Sequence, residues 1–171
     1  MSNKIVIIFI IFFNLIFFKV YGDDQINFDV TEIEILDEGN KIIGKNRGTI
    51  TTNNGIIIDA DNFEFNKITN ILKAQGNVKI KDQTNDFDFF AQNILYNKND
   101  EKIEVKGKSE ALINSNYKFK TENAMILVDE KVISSEIGAT ILDTINQDRY
   151  KIGKFNYSLN KKILKGEEIF I

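Results

Sequence analysis

The sequence predicts an all-β fold in which short strands stack into a curved trough. Three observations carry this. A pattern of alternating apolar residues running past a small residue recurs four times, in GIIIDADNFEF, DFDFFAQNILY, YKFKTENAMI and YKIGKFNY. The steps from Phe63 to Ile94 to Ala124 to Phe155 are 31, 30 and 31 residues, and a fixed period means stacked units, each too small to bury its own apolar face. Within a copy the apolar spacing is two, the side-chain period of a strand. Finally, Gly76, Gly107, Gly138 and Gly166 recur in the third strand of each unit. A recurring strand glycine marks a bulge, a bend or a close approach of backbones.

The elements follow in order. Residues 1–22 read as a secretory signal peptide. Lys4 is the charged start, Ile5 to Phe18 the apolar run, and Val20 and Gly22 the small residues before a cut at Asp23. An uncleaved anchor needs ~20 apolar residues, and Lys19 stops this run short. Either way the remainder lies outside the cytoplasm. Loss of Lys4 and Lys19 takes the net charge from −3 to −5.

Residues 23–171 form one domain with no internal boundary. Apolar alternation in Phe28-Val30, Ile33-Ile35, Ile56-Ile58, Val78-Ile80 and Ile103-Val105 is separated by turn signals at 37–40, 52–55, 97–100 and 114–116. Such spacing fits a sandwich, an open barrel or a solenoid. In each copy a strand reaches a small residue, Ala60, Ala91, Thr121 or Gly153, and the in–out phase then slips by one. An extra residue of this kind makes a bulge or corner. Asn62, Asn93 and Asn123 stand at the slip, and asparagine tolerates unusual backbone angles. With the glycines, the chain is expected to bend twice per repeat.

Composition narrows the chemistry. The chain has no histidine, cysteine, proline or tryptophan. This removes disulfides, the usual zinc ligands, the Ser-His-Asp triad and the cysteine nucleophile. Its small negative charge gives no footprint for nucleic acid.

The stretch from FDVTEIEI to GNVKIKD resembles the OstA-like domain of the lipopolysaccharide transport bridge, the family of LptA and of the N-terminal periplasmic domain of LptD. The matching elements are the I-x-A-D-x-F-x-F strand at Ile58 to Phe65, the L-x-A-x-G-N-V strand at Leu72 to Val78, and the restart at Phe89 to Tyr96. The resemblance covers roughly residues 26 to 128. It implies an open, V-shaped β-jellyroll whose hydrophobic groove holds lipid acyl chains, stacked end to end with other jellyrolls across the periplasm. The partners it implies are lipopolysaccharide, neighbouring bridge proteins joined by edge-strand pairing, and the outer-membrane translocon. It implies no enzyme activity and no cofactor. The chain is then either a free-standing LptA-like bridge or a truncated LptD-type sequence.

The expected groove lining is the repeated in-facing set: Ile58, Ala60, Phe63, Phe65, Phe89, Ala91, Ile94, Tyr96, Phe119, Ile126, Phe155 and Tyr157. Each of these taken singly also fits a closed core. The strand at 167–171 reads as an uncapped edge, open to strand addition or to continuation of a longer chain. Asp59 and Asp61 invite a cation or a carboxylate pair, but belong more naturally to a solvated face. Lys118, Lys120, Lys151 and Lys154 are placed to meet lipid phosphates at a groove rim, or to keep edges from pairing. The competing functions are a carbohydrate-active β-solenoid with paired carboxylates, and an adhesive repeat with no groove.

Overall fold

The computed structural model describes residues 26–170, so the expected signal segment lies outside the described residues. The described residues form fifteen strands joined by tight turns. They are β1 Asn27–Leu36, β2 Lys41–Thr51, β3 Ile57–Ala60, β4 Asn62–Asn66, β5 Ile71–Asp82, β6 Phe87–Asn97, β7 Lys102–Lys106, β8 Lys108–Ile113, β9 Tyr117–Glu122, β10 Met125–Leu127, β11 Val132–Ser135, β12 Ala139–Asp143, β13 Arg149–Ile152, β14 Lys154–Ser158 and β15 Ile163–Glu167. All pairings are antiparallel, and the class is all-β as the alternation predicts.

The long strands explain the shape. β2, β5 and β6 each run through a bend, pairing with one neighbour before it and another after it. The bends align, so one continuous sheet folds into two arms. Arm A holds β3, β8, β9, β12 and β13 with the near halves of β2, β5 and β6. Arm B holds β4, β7, β10, β11, β14 and β15 with the far halves. β1 spans both arms, with a register shift between Val30 and Glu32.

The corners are built in two ways. Chains running from arm B to arm A turn through left-handed residues: Asn46 and Arg47, Gly76 and Asn77, Gly107, Gly138 and Glu168. Chains running from A to B slip by an extra residue, at Asp61, Gln92, Asn123 and Gly153, and among these only Asn123 has positive φ. The expectation of unusual angles at Asn62 and Asn93 therefore fails. β6 passes straight through Asn93, which pairs with Gln75 and Lys106. Gly166 is likewise not a corner. It sits inside β15 opposite Phe155, where an added Cβ would lie 2.0 Å from Ile152 Cδ1; close packing explains that glycine. Its shorter spacing of 28 residues reflects this different role.

The in-facing side chains form two apolar ladders. On arm B one row runs without a break through Ile35, Ile42, Phe65, Leu72, Tyr96, Ile103, Ile126, Ile133, Tyr157 and Leu164. On arm A its counterpart runs through Phe28, Ile50, Ile58, Ile80, Phe89, Ala111, Phe119, Ile141 and Tyr150. Directly opposed strand pairs of this kind are the unit of sheet stabilisation. The ladders meet across the V: Phe28 contacts Phe65 at 6.0 Å, and Phe119 contacts Phe155 and Tyr157 at 5.7 Å each.

Candidate functional site

The twelve residues expected to line a groove all lie on this interior, and each is buried. Over the first three repeats they fill the V with their own side chains. Phe89, Ile58 and Ala60 are 0% exposed, leaving no room beside them for a ligand.

The side of the V opposite the corners is also bridged. Asn54 Nδ2, at a tip of arm A, donates to Glu101 Oε2 of arm B at 2.8 Å. Tyr96 Oη donates to the same carboxylate at 2.5 Å. Burial, then the Glu101 hydrogen bond, pushes the Tyr96 phenol far above its ordinary range, so it stays a neutral donor. One repeat on, Lys131 Nζ of arm B lies 3.7 Å from Asp82 Oδ2 of arm A. Further on, Asn114 Nδ2 donates to Tyr157 Oη at 3.3 Å.

Beyond Asn114 the interior opens. A cavity of about 530 Å³ lies between the last strands of the two arms. Its arm A wall is Tyr117, Phe119, Ile141, Tyr150 and Ile152; its arm B wall is Tyr157 and Leu164, with Ile169 just past the Glu168 corner and Asn114 and Lys162 at the edge. Its lining is predominantly apolar, and burial raises the Tyr157 phenol as well. The volume falls within the ~300–1,000 Å³ of typical ligand sites. The cavity exists because the ladders outrun their cover: among the described residues β13 and β15 are the outermost strands of this end, and every residue of β15 is exposed. At the opposite end Ile33 and Ile35 of β1 are 51% and 61% exposed for the same reason.

Of the expected lining, Phe119 and Tyr157 therefore border this cavity and the other ten do not. Ile141, Leu164, Lys162 and Ile169 escaped the sequence reading. Tyr150 and Ile152 belonged to the fourth repeat, and their parity was the available signal.

The charged candidates resolve into surface contacts. Asp59 pairs with Lys81 at 2.9 Å and accepts from Thr49 at 2.8 Å. Partial burial raises its carboxyl, but those two bonds outweigh it and hold the group below the usual carboxylate range. Asp61 pairs with Arg47 at 3.0 Å. Lys118 pairs with Glu110 at 2.9 Å and Lys154 with Glu136 at 3.4 Å. Lys120 and Lys151 face outward on arm A, away from the cavity. Among the described residues no group of three or more acids is clustered to hold a metal.

No family model and no curated protein matches the sequence. Among solved structures the chain is similar to LptH from Pseudomonas aeruginosa, the LptA-homologous periplasmic component of the lipopolysaccharide transport device. That match spans 84% of this chain and 82% of LptH, at 9% identity and a TM-score of 0.34.

Proposed function

We propose that this chain is a periplasmic, non-enzymatic module of lipopolysaccharide transport that takes acyl chains into its terminal cavity and passes them to a jellyroll stacked on the same end. The observation that carries the reading is the apolar cavity at the open end, fed by two unbroken apolar ladders. Each CH₂ buried there is worth ~0.8 kcal/mol. Such contacts are non-directional, which suits a cargo that must slide. Among the described residues β15 pairs only with β14, and its other edge is offered to a partner strand. The sequence resemblance supplies the identity of the lipid.

The test is site-specific photo-crosslinking to lipid A. A photoreactive side chain at Leu164 or Tyr150 should capture lipid, and one at Ile145, exposed on an arm A turn, should not. Equal capture at all three positions, or none at Leu164 and Tyr150, would sink the reading.

A further inference from the structure

The outer face of arm A carries a second concave feature, which meets the cavity's lining at Ile152 of one strand. A shallow trough of about 970 Å³ crosses β5, β6, β8, β9, β12 and β13 near the corners. One cross-strand row forms its floor: Lys79, Phe90, Glu110, Lys120, Thr140 and Lys151 are direct partners in successive strands. With strands ~4.8 Å apart, Lys120 and Lys151 stand roughly 10 Å apart along it. Arg47 and Lys108 add to the wall, against the acids Glu110 and Glu122. The trough is thus locally positive on a chain of net charge −3.

Part of that charge is committed. Arg47 pairs with Asp61 at 3.0 Å, Lys79 with Asp88 at 2.6 Å, and Lys120 lies 3.8 Å from Glu110. Lys108 and Lys151 have no carboxylate partner among the described residues. Phe90, 37% exposed, offers a ring face beneath Lys79, whose Nζ sits 5.0 Å from its centroid.

Strand β13 joins this trough to the cavity. It alternates Lys151 outward into the trough with Tyr150 and Ile152 inward to the cavity, and Ile152 borders both spaces. Among the described residues β13 is also the outermost full strand of arm A, met beyond β12 only by the single bridge from Lys151 to Phe170. An amphiphile with its tail in the cavity has a short way round this edge.

We infer that the trough binds the phosphate-bearing sugar head of the glycolipid whose acyl chains enter the terminal cavity. Lys108, Lys120 and Lys151 act as point charges for phosphate, and Phe90 and Thr140 face the saccharide. The inference rests on the lipid reading above for the tail, and on the charge pattern for the head.

The experiment titrates the full chain with three probes: diphosphorylated lipid A, its dephosphorylated form, and the deacylated phosphorylated disaccharide. The variant Lys108→Gln/Lys120→Gln/Lys151→Gln changes exposed side chains only. Lys67→Gln/Lys73→Gln/Lys161→Gln removes the same charge elsewhere. The trough variant should bind phosphorylated lipid A about tenfold or more weakly, lose its salt dependence, and bind the dephosphorylated form as wild type does. The control variant should bind both forms as wild type does and keep the salt dependence. Equal effects of the two variants, or wild-type affinity that ignores phosphate, would overturn the trough while leaving the lipid reading intact. Failure of both lipids to bind, with lysine-dependent capture of the deacylated sugar, would keep the anion site and end the lipid reading.

Discussion

Lys131 Nζ of arm B lies 3.7 Å from Asp82 Oδ2 of arm A, across the side of the V opposite its corners. Asp82 is held rigidly there. It accepts from Thr84 N at 3.1 Å, Asn85 N at 3.2 Å and Asn85 Nδ2 at 2.6 Å. With Asn54 to Glu101 and Asn114 to Tyr157, this contact laces the arms together and leaves the end as the open route to the interior.

The first prediction concerns that route. The chain has no native cysteine, so Thr84→Cys with Glu130→Cys, exposed turn positions beside Asp82 and Lys131, accepts a flexible bifunctional thiol crosslinker cleanly. Lipid uptake by the crosslinked protein should match that of the uncrosslinked one. Abolished uptake would mean that the arms part sideways to admit lipid.

Two glycines at equivalent corners should differ sharply. Gly107 has φ +85° with nothing within 4 Å of an added Cβ, whereas at Gly138, φ +86°, that Cβ would lie 2.1 Å from Ile152 O and 2.5 Å from Gly153 O. Gly107→Ala should cost about 1–2 kcal/mol, the price of a left-handed residue. Gly138→Ala adds a backbone clash and should cost clearly more. Chemical denaturation of both variants gives the comparison; equal losses would mean that the corners are not stacked as described.

The alternation and the 31-residue period were enough to predict the stack, its inward set and its double bend, because parity and repetition are properties of consecutive residues. The closed rim was not legible. Asn54 and Glu101 are 47 positions apart, Asp82 and Lys131 belong to different repeats, and polar residues at or beside turns carry no mark of a partner. The cavity was half legible: Tyr150 and Ile152 follow the inward parity, while Leu164 stands in the fourth glycine strand, whose spacing shortens to 28 residues and whose register the repeat therefore left unset. Asn93 misled because asparagine permits a left-handed backbone without requiring one.

Acid should loosen the outer contacts. Glu64 sits below the ordinary carboxylate range, chiefly through its bond from Lys73. Asp59 is lowered by Lys81 and Thr49 against the opposing effect of burial, and Asp143 by the backbone N–H of Asn146, its side chain and the N–H of Ile145. A carboxylate lowered in the folded state contributes stability above its unfolded pKa and loses it as pH falls through the folded one. Melting temperature should therefore stay level down to about pH 4–5 and fall below that, in the range of unperturbed carboxylates and under it. Tyr96 acts in the opposite limb. Its raised phenol gives stability that is complete below about pH 10 and declines above it. Tyr96→Phe should lose about 1 kcal/mol near neutrality with its hydrogen bond and show a shallower alkaline decline. An unchanged alkaline limb would show that the phenol does not titrate with unfolding.

The exposed ends of the ladders make a prediction about assembly. Ile35 is 61% exposed at the start of the arm B row and Leu164 39% exposed at its end, and the two edges differ in sequence. Contact between them is head to tail and leaves a free end on every assembly, so it grows open stacks rather than closed dimers. Sedimentation should show concentration-dependent oligomers for wild type. Ile35→Lys and Leu164→Lys should each be monomeric alone, because each spoils one face of every contact. Mixed, they should give heterodimers and nothing larger, since one intact end of each kind remains. Wild-type sedimentation as a monomer at all concentrations would remove self-stacking and leave a different jellyroll as the partner. Growth beyond the dimer in the mixture would show that the ends pair by some other register.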